Sequence, residues 1–568
     1  MNRKRWSLIK AVFIILIPSV LILRLFTIQV WQHKVYSNNI TKQISSKIEI
    51  IVPRGDILDR NNRILATSII LADVYLYSEG FLFSLKHLGP KDIEKNFRMI
   101  SSLLNISKDE ILNKCKQNKR FCIATEVDLI KAINLKYIPG IEIETYQKRV
   151  YPYEEFTNSI TGKINNDGYG YSGVEYAYND VLSSINKTEI NVYRSGRLSK
   201  SPVRLIDIAN IEEFINTQKN CNINLTIDIP LQSRIFSILK KFYEIYTPKL
   251  IMCIVQRVDT GEILAMTIYP ERNPPMENPA VSWNYEPGSI FKIFPMAIFI
   301  EKNVADPLTV IHCENGKFLY LNHEFSDVKP HGNLSVVDIL VHSSNIGMVK
   351  LYLKYGNLNE YFYYLKLFGF GSLTGIELPS ETKGFLPTPQ TKTFSSLTPL
   401  NISFGQGIGV TPIQIVNGYT MVANNGYLLQ PFIVKRITNA KQEIIYSGKK
   451  RILRKVISEQ TCDIIKNMMY ETVERGTAQK AKINNLKLCA KTGTAQKFDF
   501  TIGKYSPMKY LMSCCGFFPL EKPEFTVGVF IDEPKNARLA SEVAVPIFKE
   551  VVLEILNHYK EVAYAKAY

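Results

Sequence analysis

Between residues 8 and 30 the chain is almost wholly apolar, interrupted by Lys10 near one end and Arg24 near the other. The run reaches the roughly 20 residues a helix needs to cross a bilayer. No other feature restricts the fold as strongly, because everything after such a segment folds on one side of a membrane. Lys10 and Arg24 lie close enough to the ends for their stems to carry the charge to the headgroups, and Pro18 bends such a helix without forbidding it. A cleaved signal peptide would need a small-x-small site, whereas Leu25, Phe26, Ile28 and Val30 are all bulky. Arg3, Lys4, Arg5 and Lys10, with no acid among the first ten residues, favour a cytoplasmic N-terminus. The expectation is a cytoplasmic tail over 1–7, a transmembrane anchor over 8–30, and the rest of the chain outside the cytoplasm.

That remainder is long enough for two domains, since the chain has 568 residues and domains typically run to about 100–150. With 46% apolar and 21% charged residues, a packed core is expected and general disorder is excluded. The formal charge of +17, from 69 Lys and Arg against 52 Asp and Glu, suits nucleic acid, anionic lipid or an anionic cell-wall precursor. No zinc-finger spacing and no helix carrying a run of cations accompanies it, so the charge reads as a surface bias with no nucleic-acid partner. The nine cysteines, an odd number without a C-x-x-C pair, support neither a zinc site nor a disulfide framework, and no metal or cofactor is expected. Cys514 and Cys515, neighbours in an apolar run, should occupy opposite faces of a strand, and Cys489 should fill another.

From 47 to 220 short strands and helices alternate in a text rich in Asn, Lys and Tyr, with no catalytic constellation. Arg54-Gly55-Asp56 and Asp59-Arg60 follow Pro53 and read as a strand–turn–strand start with exposed charges. The grain changes near Leu225-Thr226-Ile227-Asp228, where a strand end runs into a helix over 231–246. Residues 250–258 and 261–268 then alternate as a hairpin around Asp259-Thr260-Gly261. Helical patterns follow near 288–302, 335–355, 411–423 and 458–475. Strands recur at 486–494, 510–518 and 525–532, and a last helix covers about 543–557. Strands at both ends with helices between them imply an α/β domain, of the α+β kind, whose central antiparallel sheet joins its N- and C-terminal segments.

Three short strings stand in one order: Ser289-Ile290-Phe291-Lys292, Ser343-Ser344-Asn345 and Lys491-Thr492-Gly493-Thr494. Ser-x-x-Lys alone is cheap, since the chain holds eight such matches, whereas Lys-[Thr/Ser]-Gly occurs once. Pro287-Gly288 ahead of Ser289 and the apolar stretch behind it place the serine in the first turn of a helix, where unpaired N–H groups favour developing negative charge. Three residues on, Lys292 shares its face. Set among Ile290, Phe291 and Ile293, its amine is expected to be desolvated and available as a base. His342, Ser343, Ser344 and Asn345 interrupt an apolar helix, and four buried polar groups in a row need a use. A loop lining a cleft supplies one, with Ser343 relaying a proton and Asn345 holding substrate amides. Gly493 is expected to let a substrate backbone approach its strand. Lys491, Thr492 and Thr494 would offer donors to a carboxylate, and such an edge strand would take an extended peptide.

With these strings in this order, the sequence resembles the class B penicillin-binding proteins over nearly its whole length. The resemblance is carried further by VPRGDILDRNNRILAT at 52–67, Gly173-Val174-Glu175 with Tyr178, LTIDIPLQ at 225–232, YEPGSIFK at 285–292, FGQGIGVTPIQ at 404–414 and AKTGTAQ at 490–496. It implies a penicillin-binding transpeptidase, β-lactamase-like fold over 221–568, preceded by an irregular mixed α+β pedestal of the dimerisation type over 31–220. It implies that Ser289, helped by Lys292, attacks a D-Ala-D-Ala stem peptide, with Ser343, Asn345 and Lys491 as further catalytic residues. Thr492, Gly493 and Thr494 would bind substrate, and the backbone N–H groups of Ser289 and Thr494 would form the oxyanion hole. An acceptor amine from a neighbouring strand would then resolve the acyl-enzyme. Implied partners are stem peptides, β-lactams, the cytoplasmic membrane, a membrane glycan polymerase and other division proteins. Ile531-Asp532-Glu533-Pro534 and the 405–414 block look like the division type, with the elongation type as its near rival. Asn62 stands where the family usually has glycine, and Pro279 where it often has arginine.

A glycosyltransferase domain has no room in the 22 residues between Val30 and Pro53, roughly a tenth of a domain. A β-lactamase would need a glutamate to activate water after the Ser-x-Asn string. Glu360, Glu377 and Glu381 lie between Asn345 and Lys491, none in an E-x-x-L-N setting, and Glu377 reads as part of a surface strand entering a turn. An inactive scaffold would have no need of intact Ser289, Lys292, Ser343, Asn345 and Lys491.

Overall fold

The computed structural model describes residues 14, 16–33, 36, 45–117, 119–136, 138–183, 187–193, 220–271, 277–499 and 503–567. The tail at 1–7 and part of the apolar run at 8–30 lie outside them. Residues 16–26 are helical, and among the described residues no helix is long and apolar enough to cross a membrane. The chain falls into two compact units, one of residues 1–53, 68–148 and 184–219, the other of 54–67, 149–183 and 220–568.

The long strand Ile64–Tyr77, which belongs to the first unit from residue 68 on, pairs antiparallel with Arg120–Asp128 and also pairs with Ile141–Val150. Alternation sends Ala72, Val74 and Leu76 into a core, as the period of two in a strand requires. The helix Pro90–Leu104 opens on a proline at its first turn and closes on Asn105 in the left-handed conformation, the usual asymmetry of helix ends. It buries Phe97 and Ile100, and Phe97 meets Phe81 edge-on at 5.6 Å.

The second unit is built on a five-stranded sheet. After helix α1 (Ile229–Tyr246) come strands β1 (Leu250–Arg257) and β2 (Ile263–Tyr269), and far along the chain β3 (Cys489–Asp499), β4 (Lys504–Phe518) and β5 (Phe525–Asp532). Their order is β3-β4-β5-β1-β2 and every pairing is antiparallel, so the sheet does join N- and C-terminal segments of the unit. Two cores flank it. One gathers Leu231, Ile235 and Leu239 of α1 with Val543, Ile547 and Val551 of the final helix, Ala540–Ala567. The other gathers Ile415, Val416 and Tyr419 of the helix Pro412–Ala423, all twelve residues of which are buried. The polar residues of that helix are bonded inside the unit, Asn417 Nδ2 to the Leu429 carbonyl and Thr420 Oγ1 to Gln256 Oε1, as burial requires. Cys514 belongs to the first core and Cys515 to the second, so they do point to opposite faces, and all nine cysteines are free.

The charges expected to be exposed near Arg54 are not. Arg54 is 1% exposed, with Nε on Glu175 Oε2 at 2.5 Å and Nη2 on the Glu175 carbonyl at 2.7 Å. Arg149 Nε donates to Glu175 Oε1 at 2.7 Å and its Nη1 to the Gly55 carbonyl at 2.8 Å. Buried charges are tolerated when paired and bonded, so the local turn signal lost to a long-range partner 121 residues away. Asn62 stands at φ 67°, a left-handed conformation that asparagine tolerates better than most residues. This accounts for its standing in for glycine. Pro279 occupies the first turn of a short helix capped by Asn278, a position that suits proline.

Candidate active site

Ser289 sits on the 3-10 turn Gly288–Lys292, which runs directly into helix α2 (Ile293–Glu301). In a 3-10 turn residues i and i+3 eclipse, which puts Ser289 and Lys292 on one face. The turn is held from behind by the block at 404–410. Gly288 N donates to the Gly405 carbonyl at 2.9 Å, and Tyr285 exchanges both backbone bonds with Val410. A Cβ on Gly405 would lie 2.1 Å from the Gly288 carbonyl oxygen, so the loop packs this closely only without a side chain. Tyr419, in the fully buried helix Pro412–Ala423, donates its hydroxyl to the Ile290 carbonyl at 2.7 Å.

The helix expected over 335–355 is broken. Helix α3 (Val336–Val341) ends at His342, and α4 (Asn345–Tyr355) begins after Ser344. Ser343 between them has φ 60°. The polar run thus forms a turn, and the left-handed residue at its centre explains why the helix stops. Ser344 caps α4 by accepting from Gly347 N at 2.8 Å. Its hydroxyl donates to Asp327 Oδ2 at 2.6 Å.

Lys491, Thr492, Gly493 and Thr494 lie on β3, the edge of the sheet. Gly493 has a reason other than the one expected. A Cβ there would meet Ser513 Oγ at 2.6 Å, Ile290 Cγ2 at 2.9 Å and the Pro287 carbonyl at 3.1 Å, so the glycine lets the strand lie against the turn that carries Ser289. A Cβ on Gly288 would likewise come within 3.3 Å of the Thr494 carbonyl. Thr492 Oγ1 donates to Thr477 Oγ1 at 2.8 Å, and Thr494 Oγ1 accepts from Ala540 N at 3.1 Å.

The three strings meet at one hydroxyl. Ser343 Oγ lies 3.2 Å from Lys292 Nζ and 2.9 Å from Lys491 Nζ. Lys292 also reaches the Ser343 carbonyl at 2.5 Å and Asn345 Oδ1 at 2.7 Å, and Lys491 reaches the Thr492 carbonyl at 3.0 Å. Both lysines are 0% exposed. Burial, then the neighbouring Lys491, pushes the Lys292 amine well below its ordinary value, with Asp327 pulling the other way. Burial brings Lys491 down to about 7. Among the described residues no hydrogen bond joins Lys292 to the Ser289 hydroxyl; such bonds are often long before substrate arrives.

Two residues of this neighbourhood, Asp327 and Thr477, carry no sequence signal of their own. They touch the second and third strings from distant segments. Glu286, three residues before Ser289, accepts from Gly407 N at 2.8 Å and from Tyr505 OH at 3.0 Å, and burial raises its carboxyl. The acids weighed as water activators are committed elsewhere. Glu360 pairs with Lys302, Glu377 accepts from Ile433 N and Glu381 accepts from Thr374 and Gly375. No strand forms around Glu377; its neighbours Gly375 and Ser380 take left-handed conformations, which interrupt extended pairing.

The penicillin binding protein transpeptidase domain model matches residues 251–553 and the penicillin-binding protein dimerisation domain model matches 49–204. The chain belongs to the class B penicillin-binding proteins. It is 31% identical to the peptidoglycan D,D-transpeptidase FtsI of Buchnera aphidicola, over 96% of this chain and 94% of that protein. The fold is shared with penicillin binding protein 2X of Streptococcus thermophilus (TM-score 0.73, 23% identity, 89% of this chain and 80% of that one). It is shared too with penicillin binding protein 3 of Mycobacterium tuberculosis in complex with aztreonam (TM-score 0.67, 21% identity, 90% and 97%).

Proposed function

We propose that this penicillin-binding protein is a membrane-anchored, serine-type peptidoglycan D,D-transpeptidase of the division type, with Ser289 as the acylated nucleophile. The observation that carries the reading is the Ser343 hydroxyl bridging the amines of Lys292 and Lys491 beside the turn that bears Ser289. Two buried amines with lowered proton affinity suit acid–base work near neutral pH, where a group titrating close to the operating pH is most effective.

Ser289 Oγ attacks the penultimate carbonyl of a D-Ala-D-Ala stem as its proton passes to the neutral Lys292 amine. The oxyanion is held by the N–H groups of Ser289 and Thr494, whose backbones the close packing at Gly288 and Gly493 brings together; such preorganised donors are worth about 3–4 kcal/mol each. Collapse breaks the peptide bond, and the departing D-Ala amine takes a proton back along Ser343, between Lys292 and Lys491. The peptide lies along the free edge of β3, with Asn345, Thr492, Gly493 and Thr494 against it. An acceptor amine then attacks the ester, loses its proton by the same route and frees Ser289. β-Lactams acylate the same serine. The apolar run at 8–30 anchors the chain with residues 1–7 in the cytoplasm, 31–220 as pedestal and 221–568 as transpeptidase outside the inner membrane. Its partners there are a membrane glycan polymerase and other division proteins.

Labelling of membranes with a fluorescent penicillin tests the reading. The full chain becomes labelled and its Ser289→Ala variant does not; equal labelling of both would refute it.

A further inference from the structure

Ser343 presents its hydroxyl to both lysines only because its backbone is held at φ 60°, a conformation that a non-glycine residue keeps only where its surroundings impose it. The surroundings that impose it converge on one side chain. Asp327, just past the strand His323–Ser326, accepts from Asn345 N at 2.5 Å and Ile346 N at 3.0 Å through Oδ1, and from the Ser344 hydroxyl through Oδ2. The preceding residue adds a fourth tie, since Asn345 Nδ2 donates to the Ser326 carbonyl at 3.0 Å. Every one of these bonds falls on Ser344 or on the first two residues of α4, and the two backbone donors are N–H groups at the start of that helix, where a carboxylate is favoured.

We infer that Asp327 is a positioning residue of this site, whose carboxylate fixes the 343–345 turn so that the Ser343 hydroxyl and the Asn345 amide meet Lys292 and Lys491. The inference rests on the proposed transpeptidase reading. A simple helix cap would need one oxygen on one or two N–H groups, and Ser344 already supplies that through Gly347. Asp327 instead spends both oxygens on the residues of the Ser-x-Asn string.

The carboxylate has a second consequence. The groups that act on the Lys292 amine are Lys491 from β3 and Asp327 from its own segment, while Lys491 is faced by Cys514 of β4. On the far side of the turn Cys313 contacts Ser344, with Glu314 and Lys350 nearby. Of the two charges that act on Lys292, Asp327 is the one that favours the ammonium. Removing its charge without its shape therefore lowers the proton affinity of Lys292 further. If neutral Lys292 is the base, the rising limb of acylation against pH then moves toward acid.

The test is the rate of acylation of the detergent-solubilised full chain by a fluorescent penicillin, from about pH 5 to pH 10, with the thermal midpoint of each variant measured alongside. Asp327→Ala should slow acylation about a hundredfold, the scale of a misplacement near 1 Å. Asp327→Asn should slow it less and shift the rising limb to lower pH, which a merely structural role would not do. Ser344→Ala, which removes one of the three donors, should fall between it and the parent. Glu324→Gln, exposed on the same hairpin, should match the parent. Parental rates in both Asp327 variants would overturn the inference, and so would a slower Asp327→Asn with an unmoved limb. Should Asp327→Ala fail to fold, the Asp327→Asn limb still decides. A parent chain that takes no label at all would overturn the proposed function itself.

Discussion

Two clusters in the same unit bury cationic side chains, and they solve the cost of burial in opposite ways. Around Arg54 the two guanidinium groups of Arg54 and Arg149 share the carboxylate of Glu175, with nitrogen–oxygen distances of 2.5 and 2.7 Å. At the Ser343 turn, Lys292 and Lys491 share a neutral hydroxyl, and among the described residues no carboxylate is in hydrogen-bond contact with either. Arginine keeps its charge and must be paired, whereas lysine gives up its proton when left unpaired. The first arrangement suits a structural role, and the second suits the acid–base role proposed for the lysines. A buried cation is thus informative about function only once its partner is known.

The largest expected effect breaks the second arrangement. Lys292→Arg restores a permanent charge, so penicillin acylation should fall by about 10²–10⁴-fold, the range of general-base help. A variant that kept most of the parental rate would show that another group takes the serine's proton.

The first arrangement breaks at Glu175. Glu175→Gln leaves two buried guanidinium groups facing an uncharged amide, and removing one partner of a buried pair typically costs about 3–5 kcal/mol. The apparent unfolding midpoint should drop by several degrees, while acylation at Ser289 well below that midpoint stays parental. An unchanged midpoint would mean that the cluster carries no stability.

A smaller effect sharpens the contrast through pH. Lys491 has its ordinary value near 10.5 in the unfolded chain and about 7 in the fold. Between those values the unfolded state binds more protons, so this group's penalty is full below pH 7 and fades as pH rises toward 10.5. Lys491→Met should therefore be more stable than the parent near pH 6, by an amount on the order of a few kcal/mol read as a higher unfolding midpoint, with the gain shrinking toward pH 10. A gain independent of pH would contradict the lowered value. The smallest effect is expected at Thr477→Val, which removes the partner of Thr492 Oγ1. Acylation should slow only a few-fold, consistent with about 0.5–1.5 kcal/mol for one neutral hydrogen bond.

Much of this was legible in the chain, because periodicity and short motifs are local. The hairpin at β1 and β2, the helix 412–423 and the strands 489–532 stand near their expected places, and so do Cys514 and Cys515 on opposite faces. What the sequence hid was non-local. Arg54 looked like a turn charge because its partner lies 121 residues away. Asp327 and Thr477 looked ordinary because their contacts cross the fold. Gly493 was read as a place for substrate; its close packing against Ser513 and Ile290 is a second constraint that no local pattern shows. The break at Ser343 was half visible: the polar run declared an anomaly, but an apolar helix on both sides masked the left-handed turn.

The measurement that tests the central claim most directly is mass spectrometry of the full chain after a short penicillin pulse. With Glu360, Glu377 and Glu381 engaged elsewhere, none of these carboxylates is placed to activate water on the ester, and an acyl-enzyme without such help persists about 10²–10⁴ times longer. The account predicts one penicilloyl adduct, on the peptide containing Ser289, still present minutes after the pulse. An adduct on another residue, or rapid turnover to penicilloic acid with no adduct, would contradict it.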